Sequence, residues 1–337
     1  MWTGTRTKRF LSKKMGRRRK GRPVHGWLAV DKDIGITSTQ AVGRVRRLLD
    51  AQKAGHAGTL DPLATGVLPI ALGEATKTVP YVMDAAKSYR FTACFGEARD
   101  TDDLEGRVLE TSAHRPDDTA IRDALDGFTG TVSQVPPLYS AIKIDGQRSY
   151  KRARAGEGEL PPARDVEISH FELVDRPDAD HAVFEVDCGK GTYIRSLARD
   201  LGKALGTCAH VSALRRTRCG PFSEKDAISL DTLAESVLCA PPQECLLPVM
   251  TALDDIPALA MTETQTGYLR HGRPVRVRSG STIFVDANQL DALRDGEVLC
   301  AMSGETPVAL ACLDGEEIRP LRVLNLESAG ENSAETE

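Results

Sequence analysis

Apolar and polar residues alternate along VHGWLAVDK (24–32), the period of a half-buried strand. Beyond the DIGITS turn the period lengthens. Val42, Val45, Leu48 and Leu49 fall at helical spacing, and Ser38 or Thr39 can cap that helix. GVLPIALG (66–73) reads as a short buried strand. SYRFTACFGEARDTDDLEGRVLE (88–110) reads as two strands joined by an acidic loop. PDDTAIRDALDGF (116–128) has the marks of a helix: Pro at its start, Asp in the first turn, and Ile121, Leu125 and Phe128 along one side. DVEISHFELVD (165–175) and AVFEVDC (182–188) alternate as strands. YIRSLARDLGKALG (193–206) places Ile194, Leu197, Leu201 and Leu205 on one stripe and ends at Gly206. AHVSALRRTRCGPF (209–222) resumes an extended path. From about residue 252 only short strands are expected, at 273–277, 281–286, 297–303, 307–314 and 318–324, as in a small β domain.

Composition changes this picture at the ends. The chain is 337 residues long, 41% hydrophobic and 27% charged, which suits a soluble globular protein of one large and one small domain. No run approaches the ~20 apolar residues of a membrane helix, and the basic start lacks the apolar core of a secretory signal. The net charge of −4 conceals ten Lys or Arg and no acid in residues 1–22. An arm this basic is expected to be disordered (1–23), either gripping a polyanion or standing idle as a solvated tail. The acidic end (326–337) is expected to be disordered as well. Eight scattered cysteines form neither C-x-x-C nor zinc-ligand spacing, consistent with free thiols in a reducing cytoplasm.

The stretch GHAGTLDPLATG (55–66), whose Gly and Pro density predicts a loop, holds a single acid, Asp61. An Asp-Pro pair among glycines is commonly a turn residue that caps backbone N–H groups. It can also be a nucleophile, which needs an ionised carboxylate away from other acids and paired with a cation. Arg195, at the first turn of the 193–206 helix, is one candidate partner. A cation there opposes the helix dipole, which makes sense if it answers an anion; otherwise it is a surface arginine. Tyr89, Tyr139 and Tyr150 stand beside Ser and Tyr193 follows a Gly-Thr pair, where they can stack on bases or simply pack with a wet hydroxyl. Segment 134–164 is locally basic, with Lys143, Arg148, Lys151 and Arg152 as candidate contacts to phosphates.

GHAGTLDPLATGVLPIALGEATK (55–77) resembles the catalytic motif of the bacterial tRNA pseudouridine-55 synthase family, the TruB family. KSYRFTACFGEARDTDDLEG (87–106), YSAIKIDGQRSYKRARAG (139–156) and CGKGTYIRSLARDLGKALGTCAHVSALRR (188–216) resemble it in the same order, so the likeness spans roughly residues 24–250. It departs at Asp33, where the family has Pro. The resemblance implies an α+β fold: a catalytic domain (24–250) around a large mixed, mostly antiparallel sheet, an inserted thumb (134–164), and a small C-terminal PUA-like β domain (252–325). It implies Asp61 as nucleophile, Arg195 as its ion-pair partner and Tyr89 packed on a flipped uracil. It places Tyr193 and Leu214 in the base pocket and His56 against displaced bases, where a turn histidine is the plain reading. The implied partner is the T-arm of tRNA, with no cofactor, no metal, no membrane, no obligate protein partner and a monomeric, cytoplasmic enzyme.

Such an isomerisation explains a lone carboxylate, since glycoside hydrolysis usually needs two. Whether Asp61 attacks C6 of uracil or C1′ of the ribose stays open. Two other readings stand beside it. One is a non-catalytic RNA-binding or tRNA-folding module. The other is an RNA-guided synthase acting on ribosomal RNA, against which the thumb-like insertion argues.

Overall fold

The computed structural model describes residues 21–140, 143–144, 147–148, 158, 160–276 and 293–326. Residues 1–20 of the basic arm (1–23), Lys151, Arg152, the strand expected at 281–286 and residues 327–337 of the acidic tail (326–337) lie outside the described residues.

The chain opens with β1 (Gly26–Lys32), α1 (Ser38–Leu48), β2 (Ala54–His56) and β3 (Ala64–Leu72). Next come α2 (Val79–Asp84), β4 (Lys87–Phe95), the hairpin β5 (Glu97–Arg99) and β6 (Val108–Thr111), α3 (Asp118–Leu125) and β7 (Gly130–Gln134). The insertion contributes β8 (Lys143–Ile144) and β9 (Gln147–Arg148). Then follow β10 (Arg164–Asp175), β11 (His181–Cys188), α4 (Ile194–Ala204), β12 (Ala209–Cys219), β13 (Phe222–Ser223), β14 (Ala227–Ser229) and α5 (Leu230–Cys239). The last group is β15 (Ala258–Ala260), α6 (Glu263–Arg270), β16 (Val275–Arg276), β17 (Val298–Ser303), β18 (Thr306–Asp314) and β19 (Glu317–Val323).

One sheet runs β14-β1-β3-β12-β4-β11-β10-β7, with β2 beside β3 and β13 beside β12. Its pairs are antiparallel except β1 with β14 and β3 with β12. A second, five-stranded sheet, β15-β17-β18-β19-β16, forms the C-terminal β domain. The fold is thus the expected α+β arrangement. After β19 the chain returns to the first sheet: Leu324 joins the core around Trp27 and Phe222, and the Asn325 N–H donates to the Glu74 carboxylate (2.8 Å). Among the described residues no helix is long and apolar enough to cross a membrane.

Three local expectations need correction. The cap of α1 is Thr37, not Ser38 or Thr39. Its hydroxyl accepts from the Gln40 N–H while the Gln40 side chain accepts from the Thr37 N–H, a complete capping box. Segment 88–110 forms three strands, because Gly96 (φ +101°) breaks the run after β4 and starts a separate hairpin that carries the acidic loop. The stretch 55–66 is not all loop: β2 pairs with β3 through His56↔Ile70.

The parallel contact of β3 with β12 depends on Gly66, which has φ +96° and lies so close to the Arg216 main chain that any Cβ would strike it. Gly66→Ala is therefore expected to destabilise the protein by roughly 3 kcal/mol or more in urea unfolding. Gly267→Ala, on α6 with open space around it, should be neutral or stabilising by up to about 1 kcal/mol.

Candidate active site

The junction of β3, β12 and β4 is a seam between two halves of the core. One half gathers Phe91, Phe184 and Leu197; the other gathers Leu28, Val45 and Leu68. Tyr89 and Leu214 pack against both. Leu214 lies opposite Ala64, the first residue of β3, so the loop bearing Asp61 ends on this seam.

That loop is gripped at four points. The Ala57 N–H donates to the Pro69 carbonyl (2.9 Å), and the Gly58 carbonyl accepts from the Arg216 guanidinium (3.2 Å). The Ser38 hydroxyl both donates to the Leu60 carbonyl (3.0 Å) and accepts from the Leu60 N–H (2.9 Å). The Pro62 carbonyl accepts from the Gly35 N–H (2.8 Å) and from Lys32 Nζ (3.3 Å). Asp61 closes the turn through its main chain, its carbonyl accepting from the Ala64 N–H (3.0 Å). Among the described residues its carboxylate caps nothing. Instead Oδ2 sits 2.9 Å from Nε of Arg195. The Nε–H is not aligned on that oxygen as a hydrogen bond, so the contact is an ion pair.

Arg195 is buried, 5% exposed, and not the surface arginine that its segment also allowed. Its guanidinium donates to the carbonyls of Thr101 (2.8 Å) and Tyr139 (2.9 Å) and lies 3.5 Å from Asp103. One side chain therefore links the Asp61 loop, the acidic loop and the start of the insertion. Asp61 is alone in sequence but not in space: its cation is shared with Asp103. One turn on, Arg199 pairs with Asp102 (3.0 Å) and donates to the Val135 carbonyl (2.8 Å). Burial pushes the Asp102 carboxyl up, against the pull of Arg199. Asp102 and Asp103 were not singled out from sequence, although their TDD context marks a polar loop.

Lys32 is a second cation that sequence reading passed over. It is fully buried, and its ammonium donates to the carbonyls of Asp33 (3.0 Å), Ile36 (2.8 Å) and Pro62. Burial lowers it to about 8, while the nearby Asp61 carboxylate opposes the shift. The departure at Asp33 leaves this turn intact, since only its main-chain carbonyl is used.

The other expected residues lie on several elements. Tyr89 is half-buried, and burial raises its hydroxyl to about 12, so it stays protonated. His56 on β2 is lowered by burial and by Arg216, which keeps it neutral near pH 7; its Nδ1 has no hydrogen-bond partner among the described residues. Tyr193 precedes α4. Its N–H donates to the Gln134 side chain (2.8 Å), its carbonyl accepts from the same amide (3.1 Å), and the Arg164 guanidinium lies 5.2 Å from its ring centre. Lys143 and Arg148 are ladder partners in the insertion's hairpin. Asp61 and Arg195 are thus in contact, Tyr89 and Leu214 share the seam, and Tyr193 leads into the helix that carries Arg195. No group of three or more His, Cys, Asp or Glu able to hold a metal occurs among the described residues.

Comparison with known proteins points the same way. The family model described as the TruB family pseudouridylate synthase N-terminal domain matches residues 46–194. The model described as the tRNA pseudouridylate synthase B C-terminal domain matches 195–254. A protein named tRNA pseudouridine synthase B from Gluconacetobacter diazotrophicus is 54% identical over 91% of this chain and 100% of its own length. Its namesake from Bradyrhizobium diazoefficiens is 55% identical, over 92% and 88%. Among solved structures, a Cbf5-Nop10-Gar1 complex contains a chain 26% identical with a TM-score of 0.67, covering 89% of this chain and 85% of that one. An H/ACA RNP bound to a substrate RNA containing 2′-deoxyuridine shares the fold at 24% identity and a TM-score of 0.67, over 91% and 90%.

Lys32 makes a pH-dependent contribution. Its ammonium titrates near 8 in the folded chain and near 10.5 when unfolded, so the unfolded state holds more protons between these values. The Lys32 contribution to stability is therefore fullest above 10.5 and is lost as pH falls through 8. In urea unfolding from pH 7 to 10, wild type should gain on Lys32→Met as pH rises through that window. Parallel curves would contradict the assignment.

Proposed function

This chain belongs to the TruB family of pseudouridylate synthases, and from that premise we propose that it isomerises the uridine at position 55 of the tRNA T-loop, with Asp61 as nucleophile. That it is a tRNA pseudouridine synthase, an isomerase, follows from about 50% identity to enzymes of that name over nine-tenths of its length. The observation that carries the finer reading is the ion pair of Asp61 with Arg195, made on a loop whose other contacts are to its main chain.

Those grips fix the loop while leaving the Asp61 side chain bound by charge alone. A nucleophilic carboxylate held in this way loses little orientation freedom on meeting its target. The side chain is 39% exposed, so a base or ribose can reach it. Uridine inside a tRNA loop must leave its stack first. Tyr89 and Leu214 would form an apolar wall at the seam for the extruded ring, and Tyr193, at the start of α4, would be a further contact to it. His56, neutral and half-buried, is suited to stack against bases. The insertion, anchored through Val135 and Tyr139 to α4, would lay its basic residues along the phosphates, among them Lys143, Arg148, Lys151 and Arg152.

In the reaction the N1–C1′ bond breaks, the uracil turns, and C5 bonds to C1′. The C5 proton is released and N1 gains one, so atoms balance without a cofactor. The guided ribosomal-RNA reading is the weaker one: the ribonucleoprotein chains share the fold at about a quarter identity, the tRNA enzymes at about half.

Tritium release from a tRNA transcript labelled at C5 of uridine tests this reading. Wild type should release label from the T-loop uridine. Asp61→Asn should bind the same tRNA within about threefold and fall by at least about a thousandfold in rate, as expected when a covalent step is removed. Full activity of Asp61→Asn would rule out the nucleophile.

A further inference from the structure

Arg216 is the largest buried charge that the chemistry above leaves unused. It is 1% exposed. Among the described residues no carboxylate lies within ion-pair distance of it. Its guanidinium donates instead to the carbonyls of Val67 (2.7 Å) and Gly58 (3.2 Å), the two ends of the segment that carries Asp61. Burying a guanidinium without an anion costs several kcal/mol, and an apolar side chain would avoid that cost.

Its surroundings show where the charge is directed. Arg216 is the ladder partner of Tyr89 across β12 and β4, which puts both side chains on one face of the sheet. Its charge pulls the Tyr89 hydroxyl down against burial and lowers His56, Lys32 and Lys87 as well. The positive charge thus stands across the ladder from the tyrosine proposed to wall the base pocket. Leu214, two residues earlier on the same strand, lines the same wall.

We propose that Arg216 is a positioning residue for the isomerisation, which clamps the Asp61 loop at both ends and, through the Tyr89 hydroxyl, stabilises the negative charge that uracil bears once its glycosidic bond is broken. The proposal rests on the reaction assigned above. When the Asp61 carboxylate bonds C1′ and N1–C1′ breaks, the bonding pair leaves with the uracil and spreads over N1, O2 and O4. C5 then bonds to C1′ and displaces the carboxylate, its proton goes to solvent, and N1 takes up a proton. The anion exists only between these two bonding events. A fixed cation behind a protonated hydroxyl favours it over the neutral bound uridine, which is the differential stabilisation that lowers a barrier. The main-chain carbonyls keep the guanidinium in place without neutralising it, as a carboxylate would.

The test compares wild type, Arg216→Lys and Arg216→Met in single turnover on T-arm RNA carrying uridine or 5-fluorouridine at the target. Digested nucleosides are separated by chromatography, and RNA affinity and circular dichroism are measured in parallel. Fluorine withdraws electrons and makes the uracil anion less dependent on outside help; because C5 then has no proton to lose, this arm is read as consumption of 5-fluorouridine to a C5–C1′ product that adds water across N1 and C6. With uridine, Arg216→Met should lose about a hundredfold or more in rate, as when one preorganised donor is removed from a transition-state site. Affinity should stay within threefold, and Arg216→Lys should recover part of the rate. With 5-fluorouridine the loss should be several-fold smaller. In a Tyr89→Phe background the Arg216→Met loss should shrink, because the route through the hydroxyl is already cut. Equal losses on both bases, a loss that tracks RNA affinity, or failure of both Arg216 variants to fold would each overturn the proposal, since Arg216 would then be architectural. An inactive wild type would instead overturn the assigned reaction, and this proposal with it.

Discussion

The pairing of Arg195 with Asp61 is the contact on which the site depends. A guanidinium at the first turn of α4 faces the positive end of the helix dipole, an unfavourable place for a cation. It is 5% exposed, which adds a desolvation penalty. Both costs are offset by anions and carbonyls drawn from three distant segments: Asp61, Asp103 with the Thr101 carbonyl, and the Tyr139 carbonyl. Arginine suits this position because its planar fork addresses several acceptors at once, which a lysine ammonium on a flexible stem does less well.

The rest of the fold supplies the frame for that contact. The parallel approach of β3 and β12 at Gly66 brings the end of the Asp61 loop to the middle of the sheet, where two halves of the core meet. Ser38 and Lys32 hold the loop from the side of α1 and β1, and Arg216 from the side of β12. Each grip ends on a main-chain atom. The side chain of Asp61 is left to its ion pair, so rigidity of the loop and availability of the carboxylate do not compete. Three cations (Lys32, Arg195 and Arg216) surround the site, and only Arg195 has a carboxylate partner among the described residues. The region is therefore suited to receiving negative charge.

Much of this was legible in the sequence because it is local. Alternation over 165–175 and 182–188 marked β10 and β11, and the leucine stripe of 193–206 marked α4 with Arg195 in its first turn. The absence of other acids around Asp61 set it apart, and motif likeness joined it to Arg195, with which it pairs. Contacts set by tertiary approach were not legible. Asp103 reaches Arg195 across about 90 residues of chain, and nothing in TDD distinguishes it from any solvated acidic loop. Arg216 sits in an LRRTR run where alternation alone does not tell the buried arginine from its exposed neighbours. Lys32 closes an alternating strand, where a lysine is ordinarily wet. The cap of α1 shifted by one residue because Ser38 was recruited by Leu60, a partner invisible in local sequence. The helix α6 was missed although Thr262 and Gln265 form a capping box, since short strands dominate the residues around it.

A crystal structure of the Asp61→Asn protein with a T-arm stem-loop bearing unmodified uridine would test the assignment of the site most directly. The uracil should be turned out of the RNA stack onto Tyr89 and Leu214. The position-61 side chain should lie within ~3.5 Å of C6 or C1′, as a near-attack geometry requires, with Arg195 still beside it. Finding the target uridine stacked in its loop, or bound at a distance from residue 61 too great for attack, would contradict Asp61 as the nucleophile and the seam as the active site.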